Sequence, residues 1–470
     1  MRGGLIRAVG YAISTALGLA TAVLLLRHLG VEDFGRYATV MAVLGIVAGV
    51  TDAGLTAVGS RELSVARTAA ERVHILNNLL LLRVVGASLG VAAAVGFTVL
   101  AGYEGVVIAG TALGGVGVVL ISAQSMLTVP IWVELRIVSL TSLEVLRNLL
   151  TLAGVAILVL AGTGLLPFFG VQLAVALGLI PVTLVLARVG LRFAGGIRRS
   201  VLVSLLRETL PLAVAFAMSV IYFRVLVVLV SLLSTEVQTG LFGTSFRIFE
   251  MLLALPVLVL SVALPLLSVA GDEDESRLTN ALQSMTEASL LVATLLVVGI
   301  AILADPGIRL VGGDEYADAA SILRIQALAL IPLFFVQTWQ LGLIAGRAQR
   351  AMAVANGLAL AVVLVLGLAL VPRGGAEAAA WVAVGAESAL ALFLWIALGR
   401  MGTGVAPSLW FSWKVALSAA PAAGAGYVLR DAPVLAACVA VVAFSAVALV
   451  TRAVPADLYH ALGIRRREEP

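Results

Sequence analysis

Apolar runs of about 20 residues, long enough as helix to cross a hydrocarbon core of roughly 30 Å, recur along this chain from end to end with only short polar breaks between them. Such a run finds no water to bond its backbone inside a bilayer, so it must be helical. The alternating segments of about ten residues that mark a membrane β-barrel do not occur. Composition agrees: of 470 residues, 61% are hydrophobic and 12% charged, against roughly 25% charged in a soluble domain. Nothing is left over for a soluble domain of any size.

The runs predict an all-α polytopic membrane protein with helices over residues 8–29, 36–57, 78–100, 106–128, 147–163, 167–187, 209–233, 241–269, 286–304, 322–345, 353–371, 378–398, 413–429 and 434–451. That makes about 14 spans, or 12 if the last pair, short and rich in Ala and Gly, is left out. With the N-terminus inside, most of the 30 Lys and Arg fall in cytoplasmic segments, as the positive-inside rule requires. These segments carry Arg61, Arg67 and Arg72, then Arg188, Arg192, Arg198, Arg199 and Arg207, then Arg465, Arg466 and Arg467. An even number of spans returns the C-terminus to the same side. The expected location is a bacterial cytoplasmic membrane with both termini cytoplasmic. The first run follows Arg2 and Arg7 but is too long for a signal peptide and lacks a small-residue cleavage site, so it reads as retained.

Cys438 is the sole cysteine, and the histidines are His28, His74 and His460. An intrachain disulfide and a Cys-based metal site are therefore excluded, and a zinc centre or a His-based nucleophile system has too few parts. No cofactor is expected. The pI near 9.6 reflects the basic inner loops, for which anionic membrane lipids are the simpler partner than nucleic acid.

The stretch "HLGVEDFGRYATV" has an echo 205 residues later in "LLSTEVQTGLFGTSF", so that Gly35 and Tyr37 fall on Gly240 and Phe242, each in a short hairpin expected on the outer side. Equivalent hairpins at the start of two halves imply a parallel repeat: an N-terminal six-helix lobe over 1–190, a cytoplasmic linker over 191–208, a C-terminal six-helix lobe over 209–400, and a helix pair with a basic tail over 401–470. The linker is basic and carries Val201, Leu202, Leu205 and Leu206; a helix lying on the inner membrane face and an ordinary linker both fit.

Four stretches carry a family resemblance. "LLRHLGVEDFGRYATVMAVLGIVAGVTDAGLTAVGSREL" resembles the opening of the polysaccharide and lipid-linked oligosaccharide flippases of the multidrug/oligosaccharidyl-lipid/polysaccharide exporter superfamily. "PLAVAFAMSVIYFRVLVVLVSLLSTEVQTGLFGTSFRIFEML" resembles the start of that family's second half, "LVGGDEYADAASILRIQAL" its ninth outer loop, and "LGLIAGRAQRAMAVANGLAL" its inner turn between helices ten and eleven. Together they span the chain to about residue 400. The resemblance implies two six-helix lobes around a central cavity and movement of an undecaprenyl-pyrophosphate type oligosaccharide by alternating access, for cell-surface polysaccharide biosynthesis. It also implies polysaccharide polymerases or glycosyltransferases as partners. Members often carry an Asp two residues after the seventh-helix Arg; here Leu226 stands there, so no acidic coupling residue carries over to that position.

Charges within the spans point to function independently, since each costs about 2.5 to 3.5 kcal/mol at a helix centre unless it meets water or a partner. They are Asp52, Arg83, Arg224, Arg247, Glu250, Glu287 and Glu387. Arg83 and Glu287 lie near helix ends and are expected to snorkel. Arg247 and Glu250, three apart on one face, either pair with each other or serve ion coupling and substrate, and the resemblance assigns the Arg of "SFRIFE" to an anionic substrate. Arg224, Arg27 and Asp52 are the other substrate-binding candidates, Asp52 also for ion coupling. Arg27 and His28 would line a cavity mouth, while Glu32, Asp33 and Arg36 cap a hairpin turning at Gly35. Gly35, Gly240, Pro211 and Pro256 are the hinge candidates, with Pro265, Pro332 and Pro421 as further helix breaks. Trp410 and Trp413 beside Lys414 read as an interface belt.

Two other classes stand beside the flippase. A cation-coupled multidrug antiporter of the same superfamily would share the architecture, though Asp52 is nearly alone where an acidic cluster would be needed. A membrane glycosyltransferase or polymerase would need catalytic carboxylates on large outer loops, and the longest, residues 305–321, has fewer than about 20 residues; a transporter, not an enzyme, is expected.

Overall fold

The computed structural model describes residues 2–52, 54–187, 199–252, 275–345, 348–401 and 405–453. Pro256, Arg188, Arg192, Arg198 and the tail arginines lie outside them. Among the described residues there is no strand and nearly every residue is helical. Ten helices there are long and apolar enough to cross a membrane, and two of these, Val9–Val65 and Arg350–Gly399, are long enough to hold two of the expected spans each. Large apolar side chains stay uncovered along them, Leu89 at 67%, Val365 at 66% and Val450 at 83%, on a scale that only a lipid surrounding accommodates. This is a multi-pass membrane protein.

The helices divide between two compact units, Met1–Gly243 and Thr244–Pro470. The first holds α1 (Arg2–Asp52), α2 (Leu55–Val65), α3 (Ala69–Leu100), α4 (Gly105–Leu127), α5 (Val129–Val133), α6 (Ile137–Leu160), α7 (Leu166–Ala187), α8 (Arg199–Leu233) and the start of α9 (Glu236–Leu252). Helix α1 is two spans joined at Gly30, whose φ of 71° suits glycine and few other residues. The turn falls there and not at Gly35, as the sequence suggested. Gly35 is helical, and its missing side chain serves a close approach described below. Helix α8 begins at Arg199, inside the stretch read as linker, and runs through Pro211 to Leu233. Helix α6 begins ten residues earlier than expected, because Ser139, Thr141, Ser142 and Glu144, which resemble an interfacial loop, are helical.

Lipid tails are as apolar as leucine, so apolar burial does not by itself drive helices together in a bilayer; close packing over small residues does. The seams follow that rule. A Cβ on Gly110 of α4 would come within 2.4 Å of the Phe169 ring, and one on Gly117 within 2.7 Å of the Leu173 nitrogen, both in α7. Gly45 and Gly49, one helical turn apart in α1, seat Arg224 and Val220 of α8 at 2.8 and 2.5 Å from the same imagined atom.

The second unit contains α10 (Glu275–Gly312), a 3-10 turn at Asp314–Tyr316, α11 (Ala319–Leu328), α12 (Leu330–Ala345), α13 (Gln349–Gly399), α14 (Leu409–Val428) and α15 (Pro433–Val450). Helix α13 is again two spans, bent at Gly375, where φ is 53°. Two polar contacts tie α10 to α12 inside this unit: Ser289 and Thr338 share a 2.9 Å hydrogen bond and the Trp339 Nε1 donates to Thr286 Oγ1 at 3.2 Å. The expected last pair is present as the antiparallel α14 and α15, packed on α10 through Phe411, Val415 and Phe444.

Candidate functional site

At the Gly30 end of the first unit, one guanidinium gathers three carboxylates. Arg36 in α1 meets Asp33 at 2.7 Å, Glu104 before α4 at 3.0 Å and Glu236 of α9 at 2.5 Å. Beside this cluster the Tyr103 hydroxyl donates to Ser231 Oγ at 2.6 Å, because the Ser231 hydroxyl is itself given to the Val228 carbonyl. Under the charges α1 and α9 touch backbone to backbone. A Cβ on Gly35 would lie 2.3 Å from the Glu236 oxygen, and one on Gly240 would lie 2.1 Å from the Val31 oxygen. Glu236 stands 205 residues after Val31, the same offset that relates Gly240 to Gly35. The two contacts are therefore mates across a local two-fold axis, and Gly243 meets Ala38, its own counterpart at that offset, at 2.8 Å. Exposed ion pairs contribute little each, so the glycine contact sets the geometry of this clasp and the charges select the partner. Burial pushes the Glu236 carboxyl above the usual carboxylate range; Arg36 pulls it back, and Glu104 and Glu32 add to the rise.

Deeper in the same unit, Arg83 of α3 is 5% exposed and does not snorkel as its position in the sequence suggested. Its Nη1 lies 3.5 Å from Asp52 Oδ1 and its Nη2 donates to the Ala48 carbonyl at 3.2 Å. Asp52 also accepts from Thr56 at 2.8 Å. The guanidinium turns inward to this carboxylate and carbonyl. Arg224 lies across Gly45, and Arg27 is exposed in the last turn before Gly30. His28, expected at a cavity mouth, donates instead through Nε2 to the Thr163 carbonyl at 2.8 Å and sits 5.4 Å from the Phe168 ring. Leu226 is buried.

One charged residue escaped the sequence reading. Arg147 lies inside α6, where a helix start at 147 had placed it at a membrane surface. Its Nη2 donates to Gln124 Oε1 at 3.2 Å; the Gln124 amide donates to Thr183 Oγ1 at 2.8 Å, and that hydroxyl to the Leu179 carbonyl at 2.9 Å. The signal was available: Glu144, Arg147, Asn148 and Thr151 recur at helical spacing. The Gly45–Gly49 spacing was likewise readable as a close-packing motif.

In the second unit, Arg247 and Glu250 of α9 pair at 3.2 Å, with side-chain exposures of 49% and 23%. Glu287 of α10 accepts from Gln283 at 2.8 Å, and Glu387 of α13 is buried. Lys414 lies 5.7 Å from the Trp410 ring, and Trp410 and Trp413 are exposed. Among the described residues no group of three His, Cys, Asp or Glu is placed to hold a metal ion.

A family model described as polysaccharide biosynthesis protein matches residues 1–270, more than half of the chain. The chain belongs to the polysaccharide biosynthesis protein family. No curated protein matches it by sequence. In fold, this family member resembles the lipid II flippase MurJ in an inward closed conformation, with a TM-score of 0.75 over 98% of this chain and 100% of that one at 14% identity. It also resembles an inward-facing multidrug resistance MATE family transporter of the MOP superfamily, with a TM-score of 0.69 over 85% of this chain and 98% of that one at 16% identity. A MOP superfamily transporter from Pyrococcus furiosus Vc1 follows, with a TM-score of 0.57 over 85% and 94% at 17% identity. The fold is that of these transporters and flippases.

Proposed function

We propose that this polysaccharide biosynthesis family member flips a lipid-linked oligosaccharide of the undecaprenyl-pyrophosphate type across the cytoplasmic membrane by alternating access, with the clasp at Gly30 as its outer gate. The family match over residues 1–270 carries the reading, because it favours a polysaccharide precursor over the drugs that share this fold. The clasp supports it in physical terms: contacts that hold α1 against α9 through one arginine and two glycines can separate without unpacking a core. Anionic lipids at the inner loops, and polymerases or glycosyltransferases that receive or make the substrate, are the partners this reading calls for.

Arg247 is proposed to bind the anionic head of the substrate. Guanidinium offers planar, bidentate donors and a charge it cannot lose, and at half exposure Arg247 holds Glu250 through one of its nitrogens. In proteoliposomes, wild-type protein should flip a fluorescent undecaprenyl-pyrophosphate oligosaccharide and leave ethidium where it is. Ethidium transport without lipid flipping would replace the reading by the multidrug antiporter. Arg247→Ala should lower flipping roughly ten- to a hundredfold, the worth of one charge-assisted contact. Arg247→Lys should recover only part. An exposed pair contributes little to stability, so thermal melting should barely change; normal flipping by Arg247→Ala would remove Arg247 from the site. A melting loss that Glu250→Ala relieves would make the pair structural instead.

A further inference from the structure

Helix α6 has two accessible faces of opposite chemistry. Val138, Leu149, Ile157 and Leu160, between 49% and 88% exposed, form an apolar face of the kind that meets lipid. Glu144, Arg147, Asn148 and Thr151, at i, i+3, i+4 and i+7, form one stripe that helical geometry turns to the opposite side. On one flank of the stripe Leu150 and Gly154 pack on Gly178 and Val171 of α7; on the other Thr141 packs on Gly10 of α1. The stripe therefore faces the interior of the first unit. Glu144 and Arg147 are nevertheless exposed, which on an inward face means a recess that water reaches.

The stripe is held in place yet has hydrogen-bonding capacity to spare. Asn148 Nδ2 donates to the Glu144 carbonyl at 3.0 Å and the Thr151 hydroxyl to the Arg147 carbonyl at 2.8 Å. Arg147 is fixed by Gln124, whose amide is oriented by Thr183. Among the described residues this is the one hydrogen bond the Arg147 guanidinium makes. Guanidinium donors, the Asn148 Oδ1, the Thr151 oxygen and the Glu144 carboxylate remain for a ligand. Water satisfies these groups in the open recess, so a ligand that displaces it must offer hydrogen bonds in its place.

The charge balance says what kind of ligand could do so. Arg147 and Glu144 cancel, so the stripe offers no net attraction to a pyrophosphate or to a cationic drug. A row of guanidinium and amide donors beside carboxylate, amide and hydroxyl acceptors matches the hydroxyl donors and acceptors that a sugar sets side by side. We propose that this stripe binds the sugar portion of the transported amphiphile, apart from the residues that hold its pyrophosphate. The assignment rests on the flippase reading above.

Binding to full-length protein in nanodiscs tests it with two probes, undecaprenyl pyrophosphate and the same carrier bearing N-acetylglucosamine. Wild-type protein should bind the glycosylated probe about tenfold more tightly than the bare one. Arg147→Gln and the isosteric Thr151→Val should each remove most of that difference and change bare-carrier binding less than about twofold. Equal loss for both probes would assign the stripe to the pyrophosphate or to folding. No preference in the wild type, or no effect of either variant, would overturn the proposal and leave the flippase intact. Failure of the wild type to bind either probe would sink the flippase reading and the stripe together.

Discussion

Gly240→Ala protein should accumulate in the membrane at close to the normal level and lose most of its transport, roughly ten- to a hundredfold. The new methyl would sit 2.1 Å from the Val31 oxygen and 3.0 Å from its carbonyl carbon. Both are backbone atoms and cannot rotate away, so α9 must retreat from α1. Overpacking of that kind costs about 1 to 3 kcal/mol. It falls on the clasped arrangement alone, which is why folding should survive while the cycle stalls. Gly96→Ala makes a matched control, since that helical glycine has nothing within 4 Å of the added atom. Flipping in proteoliposomes, normalised to protein by immunoblot, decides the matter. Undiminished flipping by Gly240→Ala would show that the clasp is not a state the transporter must visit.

Asp52→Ala should lower the melting temperature in detergent more than any other single loss of charge in the first unit. It leaves the 5% exposed Arg83 without its carboxylate. Stranding a buried charge costs about 3 to 5 kcal/mol. The pair here is 3.5 Å apart and the Asp52 side chain is 40% exposed, so about 1 to 3 kcal/mol is expected. Adding Arg83→Met, which removes the stranded charge and keeps the volume, should return most of the loss. If the double variant melts no higher than Asp52→Ala, the pair is not what holds α1 and α3 there. A double variant that is stable but inactive would give Asp52 or Arg83 a part in transport.

Much of this fold was legible because a bilayer leaves the backbone few choices. Length and polarity alone placed most of the helices among the described residues, and the Ala-rich α14 is helical there too, though it is not one of the ten long and apolar enough to cross a membrane. Boundaries were harder. Helix α6 was cut short because Thr141 and Glu144 look like loop residues, and that error hid Arg147, whose meaning depends on which way the polar face turns. Around Arg36 the local acids Glu32 and Asp33 could be read, but Glu104 and Glu236 are brought in by tertiary packing that no local pattern announces. Arg83 failed in the opposite way. Its place near a helix end suggested snorkelling, and only the fold shows that Asp52 lies within reach. Gly35 and Gly240, expected in hairpin turns, both lie inside helices, where each allows a close backbone approach instead.

The mated glycine contacts make the clasp behave like a miniature symmetric dimer interface within one chain. In an isologous contact each side is at once lock and key, and neither half can let go while the other stays seated. Opening should therefore be all-or-none, not a stepwise fraying, and the two sites should be strongly non-additive. A methyl at Gly35 alone, 2.3 Å from the Glu236 oxygen, already forces the helices apart. Gly35→Ala combined with Gly240→Ala should then impair flipping little more than either change by itself, whereas independent contacts would multiply their losses.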